Sequence, residues 1–332
     1  MKRFPAFWLT DAWQGRMLQP LAWAFSAAAA RRRVRLERVA SGLRRPVPVL
    51  VVGSIFVGGT GKTPLTEWLC RRAAELGARP GIVLRGYGGY AETWPVDVAP
   101  GTDPAMAGDE AVLLARRTGA PVVASPDRVA GRDRLIERFG CDLVISDDGL
   151  QHYRLPRDAE IGVLDHERGL GNGRCLPAGP LREPPARLEE VDMVVGNGGP
   201  VRGSPYWFEL VAGVPLPVRA DVAHDVPPAV GWRVHGVAGI GHPERFFDTL
   251  RSRGYRVVTH AMADHQVYDA EDLSFGDGDV IMTEKDAVKC QALDDGRLWY
   301  LPVEARPDAA TAAALEALLH RLTGRGGGRT TA

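Results

Sequence analysis

The segment 47–63 constrains the fold of this chain more than any other part of its sequence. A short apolar run, 47–52, leads directly into the loop Gly53-Ser-Ile-Phe-Val-Gly-Gly-Thr-Gly-Lys-Thr63, and 64–76 then reads as a helix. Glycines let backbone amides close around phosphate oxygens, and a helix N-terminus adds positive potential. Lys62 can reach the β- and γ-phosphates of a nucleotide, while Thr63 can hold Mg²⁺. The strict motif has glycine where Phe56 stands, so this variant loop predicts nucleotide binding through its strand-loop-helix context.

The loop also predicts a metal site. Its residues expected to contact the nucleotide are Ser54, Gly58, Gly59, Thr60, Gly61, Lys62 and Thr63. A loop of this kind needs an acidic group for magnesium at the end of another strand. The run 142–146 leads straight into Asp147 and Asp148, and paired aspartates at the end of a buried strand are costly unless a cation or hydrogen bonds compensate them. We expect Thr63, Asp147 and Asp148 to hold Mg²⁺, the alternative being that the aspartates only cap a helix or a turn.

Short β-branched runs and helical stretches alternate along the first two thirds of the chain. Beyond the loop, strands are predicted at 81–84, 121–124, 142–146, 161–165 and 192–195, and helices at 109–117 and 127–139. Such alternation builds a parallel sheet covered by helices. The sequence thus predicts an α/β fold with a parallel-sheet domain of the P-loop NTPase type, a second, smaller α/β domain, and an N-terminal amphipathic helix at a membrane interface.

The domain organisation follows from a change in pattern after residue 200, where 206–211 and 215–218 look like extended strands between two units. Length supports two domains, because 332 residues exceed the size of one typical domain. The predicted segments are an N-terminal interfacial helix with a basic segment at 1–45, a P-loop domain at 46–203, linker strands at 204–220, a second α/β domain at 221–306, a C-terminal helix at 307–323 and a disordered tail at 324–332.

The N-terminal segment repeats apolar side chains at a spacing of four residues, on one face of a helix: Leu9, Trp13, Met17, Leu21 and Phe25. Thr10 is placed to cap this helix. Seven arginines then follow, at 31–33, 35, 38, 44 and 45, with a single acid among them. An apolar stripe followed by arginines that can meet anionic headgroups, at ~1 kcal/mol each, is typical of an interfacial helix. The alternative is a helix packed on its own domain.

No membrane span or secretion signal is expected. The longest apolar or small stretch, 20–30, is about half of the ~20 residues that a span requires. The basic block follows the apolar segment, whereas a signal peptide carries its basic residues first. We therefore expect a peripheral protein that stays on the cytoplasmic side and binds a lipid surface.

Composition excludes several classes of protein. The 41 basic and 41 acidic side chains cancel, and with 45% hydrophobic and 25% charged residues nothing indicates disorder, a fibre or a nucleic-acid-coating protein. The four cysteines are far apart and form no CxxC or Cys/His spacing, so neither a structural zinc site nor a disulfide framework is expected. No nucleic acid and no obligate protein partner is predicted.

Six runs carry a resemblance to a known family: GGTGKTP at 58–64, LRGYGG at 84–89, GDEAVLLARR at 108–117, DDGLQHYRLPRD at 147–158, GNGRCLPAGPLREP at 171–184 and TEKDAVK at 283–289. In this order they resemble the tetraacyldisaccharide 4'-kinases over nearly the whole chain. Ser54 and Phe56 depart from that family's pattern, which has asparagine and a small polar residue there. The resemblance implies transfer of the γ-phosphoryl group of ATP, with Mg²⁺, to the 4'-hydroxyl of an acylated glucosamine disaccharide 1-phosphate. The product would be lipid IVA, made at the cytoplasmic face of the bacterial inner membrane.

The same resemblance assigns roles to single residues. It implies that Asp109 is the catalytic base, that His265 partners it across the cleft, and that Lys62 also takes part in catalysis. Without the family, Asp109 would more often be a helix cap and His265 a surface or core histidine. The family-like runs also predict further residues that line the cleft, namely Arg85, Tyr87, Glu110, Arg128, Gln151, His152 and Glu183. The run 283–286 ends a strand, so it either faces the cleft or only caps the following helix.

Two other functions fit part of the sequence. A regulatory or metal-inserting NTPase shares the GGTGKT loop, but its Asn-Lys-x-Asp guanine site does not match 283–286, and the sequence lacks the Cys/His clusters of metal delivery. A membrane adaptor without activity would leave Lys62, Thr63, Asp147 and Asp148 without a purpose. The glycines at 236–241 have the wrong spacing for a dinucleotide site. Hydrolysis or transfer of phosphate is therefore favoured.

Overall fold

The computed structural model describes residues 5–219, 221–222 and 227–324, which fold around two β-sheets. The strands are β1 Val49–Gly53, β2 Pro80–Leu84, β3 Val96–Val98, β4 Val122–Ala124, β5 Leu143–Ser146, β6 Ala159–Asp165, β7 Met193–Asn197, β8 Trp207–Ala212, β9 Leu216–Pro217, β10 Arg233–Ala238, β11 Arg256–Ala261, β12 Asp279–Thr283, β13 Leu298–Leu301 and β14 Val303–Pro307. The helices are α1 Trp13–Met17, α2 Gln19–Ser41, α3 Lys62–Glu75, α4 Pro104–Ala107, α5 Asp109–Thr118, α6 Arg128–Phe139, α7 Pro243–Ser252, α8 Glu284–Ala287 and α9 Ala309–Thr323, with 3₁₀ turns at Ala6–Trp8 and Pro185–Glu189. From residue 325 onward the predicted disordered tail lies outside the described residues.

The larger sheet has nine strands in the order β14-β8-β7-β6-β1-β5-β2-β4-β3. Among its described strands only the two outermost pairs, β14 with β8 and β3 with β4, are antiparallel. Strands β2 to β5 lie on one side of β1, and β6 and the later strands lie on the other. In such a doubly wound sheet a crevice opens at the carboxyl ends of the strands where the direction changes. The predicted phosphate-binding loop begins there, directly after β1.

Alternating side chains of β1 supply both faces of this sheet, as expected for a strand that is covered on two sides. Leu50 and Val52 belong to the apolar cluster that includes α3, whereas Val49 and Val51 belong to the cluster that includes α6 on the opposite face. Ala22 of α2 is also buried in this second cluster. Helices on both faces therefore hold the central strands, and with them the loops that follow β1 and β5.

The smaller sheet has five strands in the order β11-β10-β12-β13-β9, which are parallel except for the edge strand β9. The segment predicted as a linker, 204–220, is divided between the sheets, because β8 pairs with β7 while β9 pairs with β13. β14, which the sequence placed in the second domain, pairs with β8 and covers its open edge. The sheet pairing thus differs from the predicted borders: the chain returns to the larger sheet before α9, which packs against α3.

The N-terminal segment forms two helices rather than the single one predicted. Pro20 lies in the first turn of α2, and without an N–H it cannot continue a helix from the residues before it. The prediction that Thr10 is a helix cap was wrong. Its hydroxyl donates to the carbonyl of Ala6 at 3.3 Å, closing the preceding turn, and the residue at the N-cap of α1 is Ala12.

The N-terminal helices have a buried side and an exposed apolar side. Ala22 is 1% exposed, whereas Trp13, Met17, Leu21 and Trp23 expose 65%, 71%, 58% and 66% of their surface. Within the described part of the chain, every helix is too short or too polar to cross a bilayer. This segment therefore packs on its own domain and also presents apolar side chains outward.

Candidate active site

A cleft of about 1050 Å³ is lined by residues of the larger domain, the smaller domain and α2. The larger domain contributes the loop after β1 and the turn after β5, and the smaller domain contributes Gly241, His265 and Lys285. α2 contributes Phe25, Ala28, Ala29 and Arg32. Three segments that are distant in the sequence therefore share one site.

The loop after β1 closes through its glycines and its lysine. Gly58 and Gly61 both have a φ of 90°, a backbone conformation that other residues rarely adopt. At Gly61 an added Cβ would also lie 2.5 Å from the side-chain nitrogen of Asn197. Lys62 Nζ donates to the carbonyl of Gly58 at 3.4 Å and lies 3.7 Å from Asp148 Oδ1. The loop thus places an ammonium group at the N-terminus of the 14-residue helix α3.

Asp147 lies directly after β5 and is 2% exposed. Thr63 Oγ1 donates to its Oδ2 and Thr66 Oγ1 donates to its Oδ1, each at 2.9 Å. Burial, together with the charge of Glu110, raises the pKa of this carboxyl to about 6. Its direct partners are hydroxyl groups, so carboxylate and hydroxyl oxygens lie side by side, the donor set that Mg²⁺ prefers.

Asp148 differs from its neighbour in its partners. Arg182 Nη1 donates to both of its carboxylate oxygens at 3.1 Å. Although burial raises the pKa of Asp148, Lys62 and Arg182 together lower it to about 2. Asp148 has a φ of 46°, and His265 is the other non-glycine residue with a positive φ in the described chain. Such backbone conformations cluster at functional sites, and both of these residues line the cleft.

Asp109 and His265 are 156 residues apart in the chain and touch across the cleft. His265 Nδ1 lies 3.0 Å from Asp109 Oδ2 and 3.1 Å from Oδ1. Asp109 is 3% exposed, and the N–H of Glu110 donates to its Oδ1 at 2.9 Å. The hydrogen bond to Asp109 raises the pKa of His265. Although burial raises the pKa of Asp109, His265 and Lys285 lower it, so this contact favours the charged carboxylate.

Lys285, at the start of α8, completes this group and was not singled out in the sequence. Its Nζ lies 3.9 Å from Asp109 Oδ2, 3.2 Å from Glu110 Oε1 and 3.0 Å from Asp264 Oδ1. Although burial lowers the pKa of Lys285, these carboxylates raise it well above its usual range. Thr283 caps α8 with its side chain. The run 283–286 therefore fits both alternatives, since it caps the helix and also directs a side chain into the cleft.

A hydrogen-bonded row forms one wall of the cleft. Gln151 Nε2 donates to Glu183 Oε2 at 2.8 Å, and Arg182 Nη1 donates to Gln151 Oε1 at 3.3 Å. Tyr153 donates its hydroxyl to the other oxygen of Glu183 and accepts from Arg187 Nε at 3.0 Å. Gln151 and Glu183, both predicted for the cleft, are thus held in fixed orientations beside Asp148.

The other predicted cleft residues also line this space, namely Arg85, Tyr87, Glu110, Arg128 and His152. Burial lowers the pKa of Arg128 to about 10. Burial, with the charges of Arg128 and Arg85, lowers the pKa of His152 to about 3. The His152 ring is therefore neutral near pH 7. Tyr87 packs against His265, with ring centroids 5.0 Å apart.

Ser54 stands apart from the loop residues predicted to contact the nucleotide. It is fully buried, its hydroxyl accepts a backbone N–H at 3.0 Å, and it does not line the cleft. Two residues that the sequence did not indicate contact the loop. Arg168 donates to the carbonyl of Gly59, and Asn197 Nδ2 donates to the carbonyl of Thr60 at 3.2 Å. No sequence motif indicates these two residues. Arg168 follows β6 and Asn197 ends β7, and only the order of strands in the sheet brings them beside the loop.

Comparison with known proteins finds one family. The family model for tetraacyldisaccharide-1-P 4'-kinase matches residues 14–322. A tetraacyldisaccharide 4'-kinase of Alkalilimnicola ehrlichii is 56% identical over 327 residues, which cover 97% of this chain and 98% of that protein. A protein of the same name from Halorhodospira halophila is 51% identical over 329 residues, with coverage of 97% and 98%. A crystal structure of LpxK from Aquifex aeolicus in complex with ATP aligns with a TM-score of 0.72 and 25% identity, over 93% of this chain and 99% of that chain.

Proposed function

The chain belongs to the tetraacyldisaccharide 4'-kinase family, and we propose that its cleft binds ATP on the loop after β1 and the lipid between the two domains. The reaction is phosphorylation of the 4'-hydroxyl of a tetraacyldisaccharide 1-phosphate, which gives lipid IVA in lipid A biosynthesis. The LpxK structure from Aquifex aeolicus contains ATP, which supports ATP as the donor. The observation that carries the proposed site is the contact of the buried Asp109 with His265, which lines the same cleft as Lys62.

The phosphates of ATP are proposed to lie against the loop and the start of α3. Backbone amides at a helix N-terminus favour anions, and a lysine ammonium strengthens this preference. Lys62, Arg85 and Arg128 bring three positive charges to the cleft. The triphosphate would thus replace the contact that Lys62 makes with Gly58.

Mg²⁺ is proposed to accompany the nucleotide, held by Thr63 and Asp147 with Asp148 beside them. The adjoining oxygens of Thr63 and Asp147, 2.9 Å apart, fit a hard divalent cation. Within the described residues no group of three His, Cys, Asp or Glu side chains could hold a metal, so phosphate oxygens and water would complete the coordination. The bound ion would neutralise negative charge on the phosphates during transfer.

Asp109 is proposed to accept the proton of the attacking hydroxyl. Its low pKa makes it a weak base, but in a loose transition state the transferred phosphoryl group is nearly free of both oxygens, so orientation matters more than basicity. His265 and Lys285 hold the carboxylate from the second domain. Their positive charges would keep Asp109 ionised until the hydroxyl arrives.

Closure of the cleft is proposed to exclude water, which competes with the hydroxyl for the phosphoryl group. The smaller domain lies close to the loop, since a Cβ added at Gly241 would be 3.3 Å from the backbone nitrogen of Gly59. ATP hydrolysis should therefore be slow without the lipid acceptor. Equal rates of ATP hydrolysis with and without the lipid would contradict this role of closure.

The N-terminal helices are proposed to bind the cytoplasmic surface of the inner membrane. Their exposed apolar side chains include Trp13 and Trp23, and the arginines of α2 can meet anionic headgroups. α2 also lines the cleft through Phe25. The cleft would therefore open beside the bilayer, where a substrate with several acyl chains resides.

Phosphoryl transfer is the first test. Labelled phosphate should pass from Mg-ATP to purified disaccharide 1-phosphate in mixed micelles, and Asp109→Ala and Lys62→Ala should both lose the product. Asp248→Ala is the control, because this exposed carboxylate on α7 pairs with Arg251 and should leave transfer unchanged. ATP hydrolysis that does not depend on lipid, with no lipid product from the native chain, would indicate a regulatory NTPase instead.

Membrane binding is tested by sedimentation with vesicles that contain anionic lipid. Burial of an aromatic side chain contributes roughly 2 kcal/mol, so the double variant Trp13→Ser/Trp23→Ser should weaken partitioning by tenfold or more. Trp232→Ser removes a tryptophan that is 48% exposed beside the second sheet and should bind like the native chain. Equal binding by all three proteins would overturn the interfacial role.

A further inference from the structure

Two neighbouring carbonyl groups of the phosphate-binding loop are held by side chains from other elements. A guanidinium nitrogen of Arg168 donates to the carbonyl of Gly59. Asn197 Nδ2 donates to the carbonyl of Thr60 at 3.2 Å. Arg168 follows β6 and Asn197 ends β7, so both act on the loop from the same side of β1.

These two hydrogen bonds determine where the loop amides point. A trans peptide unit directs its C=O and the following N–H to opposite sides. Holding the carbonyl of Gly59 therefore orients the N–H of Thr60, and holding that of Thr60 orients the N–H of Gly61. Both residues line the cleft, and amides in such loops bind phosphate oxygens. We propose that Arg168 and Asn197 are positioning residues that turn the amides of Thr60 and Gly61 toward the phosphates of ATP.

The composition of the loop gives a reason for such support. Gly58 and Gly61 carry few conformational restraints of their own, and ordering a flexible loop during binding reduces affinity. Phe56 occupies the position where the strict motif has glycine, and the guanidinium of Arg168 lies over its ring at 5.1 Å from the centroid. The departure of this loop from the motif is therefore part of the same contact.

Arg168 is held tightly but not fully satisfied. Its side chain is 9% exposed and its Nη2 lies 3.3 Å from Asp165 Oδ2. Among the residues that the structure describes, the buried Nη1 of Arg168 and the buried Oδ1 of Asn197 have no hydrogen-bond partner. Leaving such atoms unpaired costs stability, so stability alone does not account for the two side chains. Violations of this kind are expected where a residue serves function.

The hydrogen bonds that hold Arg168 also connect it to the second domain. Asp165 accepts a hydrogen bond from Arg245 Nη1 of α7 at 3.1 Å, while its other oxygen accepts the backbone N–H of Arg168 at 3.0 Å. One carboxylate therefore joins the residue that shapes the loop to the helix that packs on the smaller sheet.

The test measures nucleotide binding apart from transfer, because this proposal rests on ATP being the nucleotide of the proposed function. Arg168→Met and Asn197→Leu should each raise the Kd for ATP at least tenfold, by displacement of a fluorescent ATP analogue. The affinity for adenosine should be unchanged, because adenosine has no phosphates. The KM for ATP should rise in parallel, whereas kcat at saturating ATP should fall less than fivefold. Arg168→Lys, which keeps a donor and the charge, should recover part of the affinity.

Controls separate positioning from folding. Arg202→Met, at an exposed arginine in the turn after β7, should bind ATP like the native chain. Loss of adenosine affinity together with ATP affinity in Arg168→Met and Arg168→Lys would show a structural role and overturn the proposal. Unchanged ATP affinity in both Arg168→Met and Asn197→Leu would overturn it as well. A native chain that binds no ATP would overturn the proposed function itself, and the positioning role with it.

Discussion

Two regions of the cleft are built in different ways: the proposed phosphate site around Lys62 and Asp147, called the floor below, and the Asp109–His265 pair. Lys62 and Asp147 follow β1 and β5, which are neighbours in one sheet. Asp109 comes from α5 of that domain, but His265 comes from the loop after β11 of the other domain. The floor is therefore complete when the larger sheet folds, whereas the pair exists only while two domains stay packed. In the proposed function, most groups that bind the nucleotide therefore come from one domain, whereas the groups that carry out catalysis come from both.

The carboxyl groups of the two regions, Asp147 and Asp109, also differ in their electrostatic surroundings. Asp147 accepts hydrogen bonds from Thr63 and Thr66, and burial raises its pKa to about 6. Asp109 faces His265 and Lys285, which lower its pKa although burial raises it. The carboxyl of the floor thus has hydroxyl groups of its own domain as hydrogen-bond partners, whereas the carboxyl of the pair faces basic groups of the second domain.

Removal of the proposed base, Asp109, should have the largest effect on turnover. Asp109→Ala should lower kcat by roughly 10² to 10⁴, the range for loss of a general base, with the Kd for ATP unchanged. Single-turnover transfer and a separate ATP titration measure the two quantities. If ATP affinity fell as steeply as kcat, the two regions would not be independent.

Removal of the loop lysine should have the next largest effect and should act on the floor. Lys62→Met should lower kcat by roughly 10² to 10³, as for loss of one charged stabilising group, and should also weaken ATP binding. The titration of His265, followed by NMR, should remain as in the native chain. A displaced His265 titration would show that the floor and the pair are coupled.

Replacement of Lys285, the lysine from the second domain, should shift the pH dependence of kcat/KM. Lys285 lowers the pKa of Asp109, so Lys285→Met should raise it. Since the base must be ionised, the acid limb of kcat/KM should move to higher pH by about one unit, as for loss of a close opposite charge. Asp264→Asn removes a negative charge near the same lysine and should not move that limb upward. An acid limb that stays in place in Lys285→Met would exclude Asp109 as the titrating group.

A substitution at the junction between the two domains should change turnover least. It should nevertheless change the free energy of unfolding measurably. Glu284 lies 3.8 Å from Arg117 across the junction, and burial, with the charge of Glu67, raises its pKa to about 7. A carboxyl with a raised folded pKa destabilises the fold once it must ionise, so native stability should fall between pH 4.5 and pH 7. Glu284→Gln should therefore gain roughly 2 to 3 kcal/mol over the native chain at pH 8 and little near pH 4.5.

Urea denaturation at the two pH values measures this difference. Arg117 keeps its ion pair with Glu67 at 3.1 Å, so the variant does not leave an unpaired guanidinium. An equal stability difference at both pH values would mean that Glu284 is not the group responsible.

The two regions also differ in how far the sequence alone predicts them. The loop, the strand before it and the aspartates after β5 were predictable because their residues are adjacent in the chain and share a local pattern. The Asp109–His265 contact is present as expected, but no spacing relates residues 109 and 265, and only the family resemblance joined them. Their catalytic roles stay predictions.

The remaining features depend on packing between distant segments. The pairing of β14 with β8 was missed, because a strand's own residues do not specify its neighbour. Lys285, Arg168 and Asn197 were missed for a related reason, since each gains its contact only after the strands take their order. Thr10 was misassigned because its hydroxyl donates to the carbonyl of Ala6 in the preceding 3₁₀ turn, and α1 begins only at Trp13.

The placement of α2 determines which concentration governs the rate. One side of this helix lines the cleft through Phe25 and Arg32, and Leu21 and Trp23 are exposed. An enzyme bound to the bilayer through this helix, as proposed above, would meet its lipid by lateral diffusion in two dimensions. Its rate should follow the mole fraction of the disaccharide in the surface rather than its amount per volume. Added inert detergent should therefore slow turnover by surface dilution, even when the bulk concentrations of enzyme and substrate are constant.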